Sequence, residues 1–106
     1  MRMIEVWINC PSDETAREIS EALLATRLIA CANIFPAIES IYRWKGAIEK
    51  ESEVPLVVKT RKAFFPRIET EVRKLHPHET PSIIAVAVSW VNQDYLDWVY
   101  AETGPE

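Results

Sequence analysis

Two imidazoles and a carboxylate stand within four residues at His76-Pro77-His78-Glu79. In an extended segment, histidines at i and i+2 share a face, and imidazole with carboxylate is a donor set suited to a divalent transition metal such as copper or zinc. The same residues also have a plain structural use: a histidine that ends a helix meets the negative end of the helix dipole, and His78 is then a solvated loop residue. Cys10 and Cys31 are the only thiols. Cys10 closes a strand-like run just before a helix start, where a thiol is either a nucleophile or soft-metal ligand of lowered pKa or simply a small buried hydrophobe. Cys31, between Ala30 and Ala32, reads as a small hydrophobe. A nucleophilic pair of Cys10 and His76 would need a third, orienting group, and none can be named from the chain.

Glycine occurs only at positions 46 and 104, so neither G-x-G-x-x-G nor the P-loop pattern can be written. The G-x-S-x-G nucleophile elbow is missing as well. The expectation is a protein that binds without catalysing. The 106 residues fit one domain, 1–106,. Being 48% hydrophobic and 26% charged, the chain falls in the globular class and outside the disordered one,. Sixteen acids against twelve bases leave a net charge of −4, which favours metal cations or basic partners over nucleic acid,. The opening MRMIEVWINC leads straight into a strand pattern without the apolar core and cleavage site of a signal peptide. No run approaches the roughly 20 apolar residues needed to span a bilayer. A cytoplasmic protein with two free thiols and no membrane partner is expected.

Elements to position these groups follow from periodicity. Residues 3–9 alternate through Ile4, Val6 and Ile8 as a strand that Pro11 ends. Ser12 is a good N-cap and Asp13 and Glu14 suit a first turn, so residues 13–27 read as a helix with Ala16, Ile19 and Leu23 inward. Residues 31–44 and 47–60 form two extended arms about the turn at Lys45-Gly46. Helical spacing returns over residues 62–75, with Pro66 tolerable in the first turn. Ile83 to Val88 reads as a central strand covered on both faces. Asn92 caps a last helix through Tyr95, Leu96 and Trp98, closed at Gly104-Pro105. The order is β-α-β-β-α-β-α, a ferredoxin-like α+β sandwich with an added C-terminal helix.

The two arms pose a length problem. Fourteen residues at about 3.3 Å each reach roughly 46 Å, whereas a compact domain of this size has a radius of gyration near roughly 13 Å. The hairpin must bend or project, and Pro36 and Pro55 suit bends or edges. Tyr42 and Trp44 near its tip lie beyond the protomer's own core, so a partner subunit is expected to cover them. The next arm, Glu49 to Glu53, reads as a solvated edge that resists aggregation rather than as an acidic metal site.

Together the stretches A-C-A-N-I at 30–34, S-x-Y-x-W-K-G-x-I-E at 40–49, Lys59-Thr60, H-P-x-E-x-P at 76–81 and Y-L-x-W at 95–98 resemble the CutA divalent-cation tolerance proteins. The resemblance runs nearly end to end. It implies a tight homotrimer similar in architecture to the PII signalling proteins, linked to copper and other divalent cations and without established catalysis. It implies metal positions at Cys10 and His76, with Tyr42, Trp44, Lys59, Glu79 and Trp98 around an intersubunit cleft. Family members often have Tyr at the place of His78 and Glu at that of Ser82; the first departure adds a metal ligand to the set and the second removes one. The alternative implied by the PII-like architecture is a module that binds a small molecule in the intersubunit clefts.

Overall fold

The computed structural model describes residues 3–105. Strand β1 (Met3–Cys10) sends Ile4, Val6, Ile8 and Cys10 to one face, where all four are buried, and Glu5, Trp7 and Asn9 to the other. Pro11 cannot donate to a ladder, and the chain turns there. Helix α1 (Asp13–Ala25) starts at Ser12, whose Oγ accepts a hydrogen bond from the Thr15 N–H at 3.1 Å. It ends two residues short of the expected position 27, because Arg27 turns into the left-handed region at φ 58°. That turn lets the Arg27 guanidinium donate to the carbonyls of Ala101 and Gly104 near the C-terminus.

The first hairpin arm is two strands rather than one: β2 (Cys31–Ile34) and β3 (Ile38–Trp44), separated by residues 35–37 around Pro36. The second arm, β4 (Ala47–Arg61), runs unbroken for 15 residues and through Pro55. It pairs with β2 and β3 along one edge and with β1 along the other, from Met3↔Arg61 to Cys10↔Val54. At about 3.3 Å per residue it runs the full length of the molecule, whose longest dimension is 45 Å. The hairpin therefore projects.

A short 3₁₀ turn (Lys62–Phe64) leads into α2 (Phe65–Leu75), so the expected helix 62–75 tightens in its first turn, and Pro66 sits where no N–H is needed,. Strand β5 (Ile83–Ala87) pairs antiparallel with β1, giving the order β2-β4-β1-β5 with β3 on β4. Here the expectation of a central strand covered on both faces is corrected. β5 is an edge strand, and Ile84 and Val86 are 57% and 46% exposed. Its apolar run serves both faces, but within the protomer neither is covered along its length, and Ala85 and Ala87 on the helix side are exposed as well.

Helices α1 and α2 close the main core over the β1–β4 face through Ala16, Ile19, Leu23, Ile68 and Val72, with Phe64 filling one end. Helix α3 (Gln93–Glu102) packs Val99 on Met3 and Ala30 as a smaller cluster. Arg61 anchors it by donating to the carbonyls of Tyr100 and Thr103 and to the Thr103 hydroxyl. Asn92 occupies the N-cap position, but its amide donates to Asp94 instead of its oxygen capping the helix. With β2 and β3 counted as one arm, the connectivity is β-α-β-β-α-β followed by a helix, on an antiparallel sheet.

Candidate functional site

Strand parity decides where Cys10 goes. It shares the phase of Ile4, Val6 and Ile8, so its thiol lies in the main core, fully buried, with the Ile8 carbonyl 3.9 Å from Sγ. Burial first, and then the charge of Glu53, pushes its pKa up to about 11. A thiol so placed is neutral at pH 7, the opposite of the activated nucleophile that a strand end beside a helix start suggested.

His76 caps the C-terminus of α2 and is also buried. One ring nitrogen, Nε2, lies 2.8 Å from the Asn9 carbonyl oxygen, and the other, Nδ1, accepts the His78 backbone N–H at 3.2 Å. A single neutral tautomer, with the proton on Nε2, satisfies both bonds. Both nitrogens are thus committed to holding the chain after α2 against the end of β1. His78 stacks edge-on against this ring at 4.8 Å between centroids and is itself exposed.

His78 faces a cleft of about 570 Å³ between the hairpin and residues 77–82. Tyr42 and Trp44 form one wall, and Glu49, Glu51 and Glu53 stand beside them. The hairpin register explains this grouping: Tyr42 pairs with Glu49 and Ser40 with Glu51, so alternate residues of both strands share one face,. Pro77, His78, Glu79, Thr80 and Ser82 supply the opposite wall. Tyr42 is held above the ordinary phenol range, first by desolvation and then by its hydrogen bond to Glu51 and the charges of Glu51, Glu53 and Glu49. Lys45, at the hairpin tip, places Nζ 5.4 Å from the Trp44 ring centroid and 3.6 Å from the Glu79 carboxylate.

Of the residues expected around an intersubunit cleft, Tyr42, Trp44 and Glu79 line this cleft within one protomer, together with His78. Lys59 and Trp98 do not. Lys59 donates to the Asn33 side chain at 2.9 Å, and Trp98 lies on α3 against Tyr95. Cys10 and His76 lie behind the cleft rather than on it. Among the described residues, no three His, Cys, Asp or Glu side chains converge closely enough to hold a metal ion. The glutamates were missed as cleft residues, although counting outward from Lys45-Gly46 places 49, 51 and 53 on one face with Tyr42.

The model of the CutA1 divalent ion tolerance proteins matches residues 4–102. The chain belongs to the CutA1 family. The divalent-cation tolerance protein CutA of Thermus thermophilus is 44% identical over 99 residues, which cover 93% of this chain and 96% of that relative. Mouse protein CutA is 42% identical over 97 residues, but the chain spans only 55% of its length. A solved CutA1 from T. thermophilus superposes with a TM-score of 0.93 at 43% identity, covering 96% of this chain and 99% of that one. A periplasmic divalent cation tolerance protein CutA from Archaeoglobus fulgidus superposes with a TM-score of 0.92 at 36% identity, covering 94% and 97%. The antiparallel sheet with three helices is thus the fold of solved CutA1 structures.

Proposed function

We propose that the chain serves divalent-cation tolerance by binding cations, copper among them, as a cytoplasmic homotrimer without catalytic activity. Family membership supports the tolerance role, and the relatives' names carry it. The observation that supports cation binding is the exposed His78 imidazole on a cleft with four carboxylates, those of Glu49, Glu51, Glu53 and Glu79. An imidazole is a good ligand for Cu(II) and Zn(II), and a wall of carboxylates raises the local cation concentration. Cys10 and His76 join only if the segment around them opens, since one is sealed in the core and the other has both nitrogens engaged. The buried neutral thiol also supports binding over nucleophilic catalysis. Calorimetric titration with Cu(II) and Zn(II) tests this reading. His78→Ala should weaken binding while Cys10→Ala leaves it unchanged; equal binding by wild type and His78→Ala would remove the site.

The trimer is supported by the face of the sheet away from α1 and α2. Trp7, Phe35, Ile84 and Val86 are uncovered there, and Ile41 and Ile48 are bare on the projecting hairpin. Monomeric proteins seldom leave so much contiguous apolar surface in water. A second reading, binding of a small molecule in the cleft, is favoured by its volume and aromatic wall, which suit a compact ligand,.

A further inference from the structure

The segment between α2 and β5, residues 76–82, is neither helix nor strand, yet it carries His78 into the cleft. One buried ring ties it down. The pairing of β1 with β5 ends at Ile8↔Ile83, and at the next residue of β1 the Asn9 carbonyl oxygen lies 2.8 Å from His76 Nε2. The backbone N–H of His76 stays with α2, donating to the Val72 carbonyl at 2.8 Å. With the Nε2 proton given to Asn9, Nδ1 keeps a lone pair, and the His78 amide donates to it at 3.2 Å,. The two rings then meet edge to face, with 4.8 Å between centroids and 65° between planes, so that the buried ring limits how the exposed one turns. His76 thus joins the end of α2, the end of β1 and the cleft wall, and the exposed imidazole is the last link of that chain.

Resting on the cation-binding reading of the cleft, we infer that His76 is a positioning residue: it holds the His78 imidazole in the cleft without ligating the ion. A metal ion on Nδ1 would take the lone pair that the His78 amide uses, and one on Nε2 would replace the proton given to Asn9,. Ligation at His76 would therefore release the wall that carries His78. A ligand held by fixed neighbours has less freedom to lose on binding, and removing such support typically weakens metal binding by about 10–100-fold. The two bonds of His76 are separable by chemistry. The side-chain oxygen of asparagine reaches where Nδ1 lies and can accept from the His78 amide, while the side-chain nitrogen of glutamine reaches where Nε2 lies and can donate to the Asn9 carbonyl.

Zn(II) titration of the full chain, followed by calorimetry and by ¹H–¹⁵N NMR of the histidine rings, tests this. In metal-free wild type His76 should show a single tautomer with its proton on Nε2, and it should keep that signature while Zn(II) shifts the ring nitrogens of His78. His76→Gln should weaken Zn(II) binding by roughly tenfold, and His76→Asn by clearly less. Thermal unfolding should rank the two variants the other way, because asparagine leaves the Asn9 carbonyl without its donor. A residue that only stabilises the fold would give one ranking in both measurements. A His76 nitrogen that takes a Zn(II)-bound shift, wild-type affinity in His76→Gln, or affinities that follow thermal stability would each overturn the proposal. If His78→Ala weakens Zn(II) binding while His76→Gln does not, the cation site stands and the positioning role alone falls. If His78→Ala binds as wild type does, both fall. Light scattering on the same samples separates loss of binding from loss of assembly.

Discussion

At the scale of single residues, the chemistry expected of Cys10 is undone by its phase along β1. Even-numbered residues of that strand face the helices, so the same alternation that revealed the strand also places the thiol in the core. The sequence therefore contained the answer for Cys10, whereas the two hydrogen bonds of His76 depend on where Asn9 and His78 lie in space. The thiol has a measurable consequence. Its pKa in the fold, about 11, lies above the ordinary 9.0, so the fold favours the protonated form. The associated stability is complete below pH 9 and is lost as pH rises through 11, to a limit on the order of 2–3 kcal/mol. Urea unfolding at pH 8 and pH 11 should show this loss in wild type and not in Cys10→Ala, once the loss common to both is subtracted. An identical pH dependence in the two proteins would show that the thiol does not titrate in the core. Cys10→Ala itself should cost roughly 1 kcal/mol at pH 8 through the small cavity it leaves.

At the scale of elements, the hairpin shows which parts of a pattern carry their own structure. Its turn was legible from Lys45-Gly46, and both residues adopt positive φ, 48° and 84°, as a two-residue hairpin connection demands,. The break between β2 and β3 was half legible: Pro36 announced an irregularity, but the continuous β4 opposite it made one long arm equally consistent with the pattern. The edge position of β5 was not legible, because an apolar run reports burial on both faces without naming what buries them. The turn gives a clean prediction. No atom lies within 4 Å of a Cβ added at Gly46, so Gly46→Ala carries only the left-handed backbone penalty, roughly 1–2 kcal/mol. Lys45→Asn should instead stabilise by a few tenths of a kcal/mol, since asparagine tolerates positive φ better than lysine. Thermal unfolding of both variants checks the opposite signs. A neutral Gly46→Ala would mean that the tip is rebuilt without the two-residue turn.

At the scale of the whole molecule, one face of the sheet is finished and the other is not. The finished face carries α1 and α2 on an alternating apolar pattern, the arrangement the sequence periodicities foretold. On the other face, α3 covers one end while Trp7, Phe35 and Ile84 remain open, with Trp7 and Phe35 ring centroids 5.7 Å apart. Trp7 pairs with Ile84 across β1 and β5, so these side chains form one surface rather than scattered exposures. If that surface is the subunit interface, placing charge in it should dissociate the assembly without unfolding the protomer. Trp7 and Ile84 lie outside the main core, on the face of the sheet away from α1 and α2. Trp7→Glu and Ile84→Asp each remove apolar burial worth about 1.5–3 kcal/mol per site and add a buried charge, and a trimer repeats that loss in every protomer. Light scattering at micromolar concentration should find trimeric wild type and dissociated variants with unchanged far-UV circular dichroism. Trimers that survive both substitutions would move the interface onto the Ile41 and Ile48 face of the hairpin, where Ile41→Asp would then be the dissociating change.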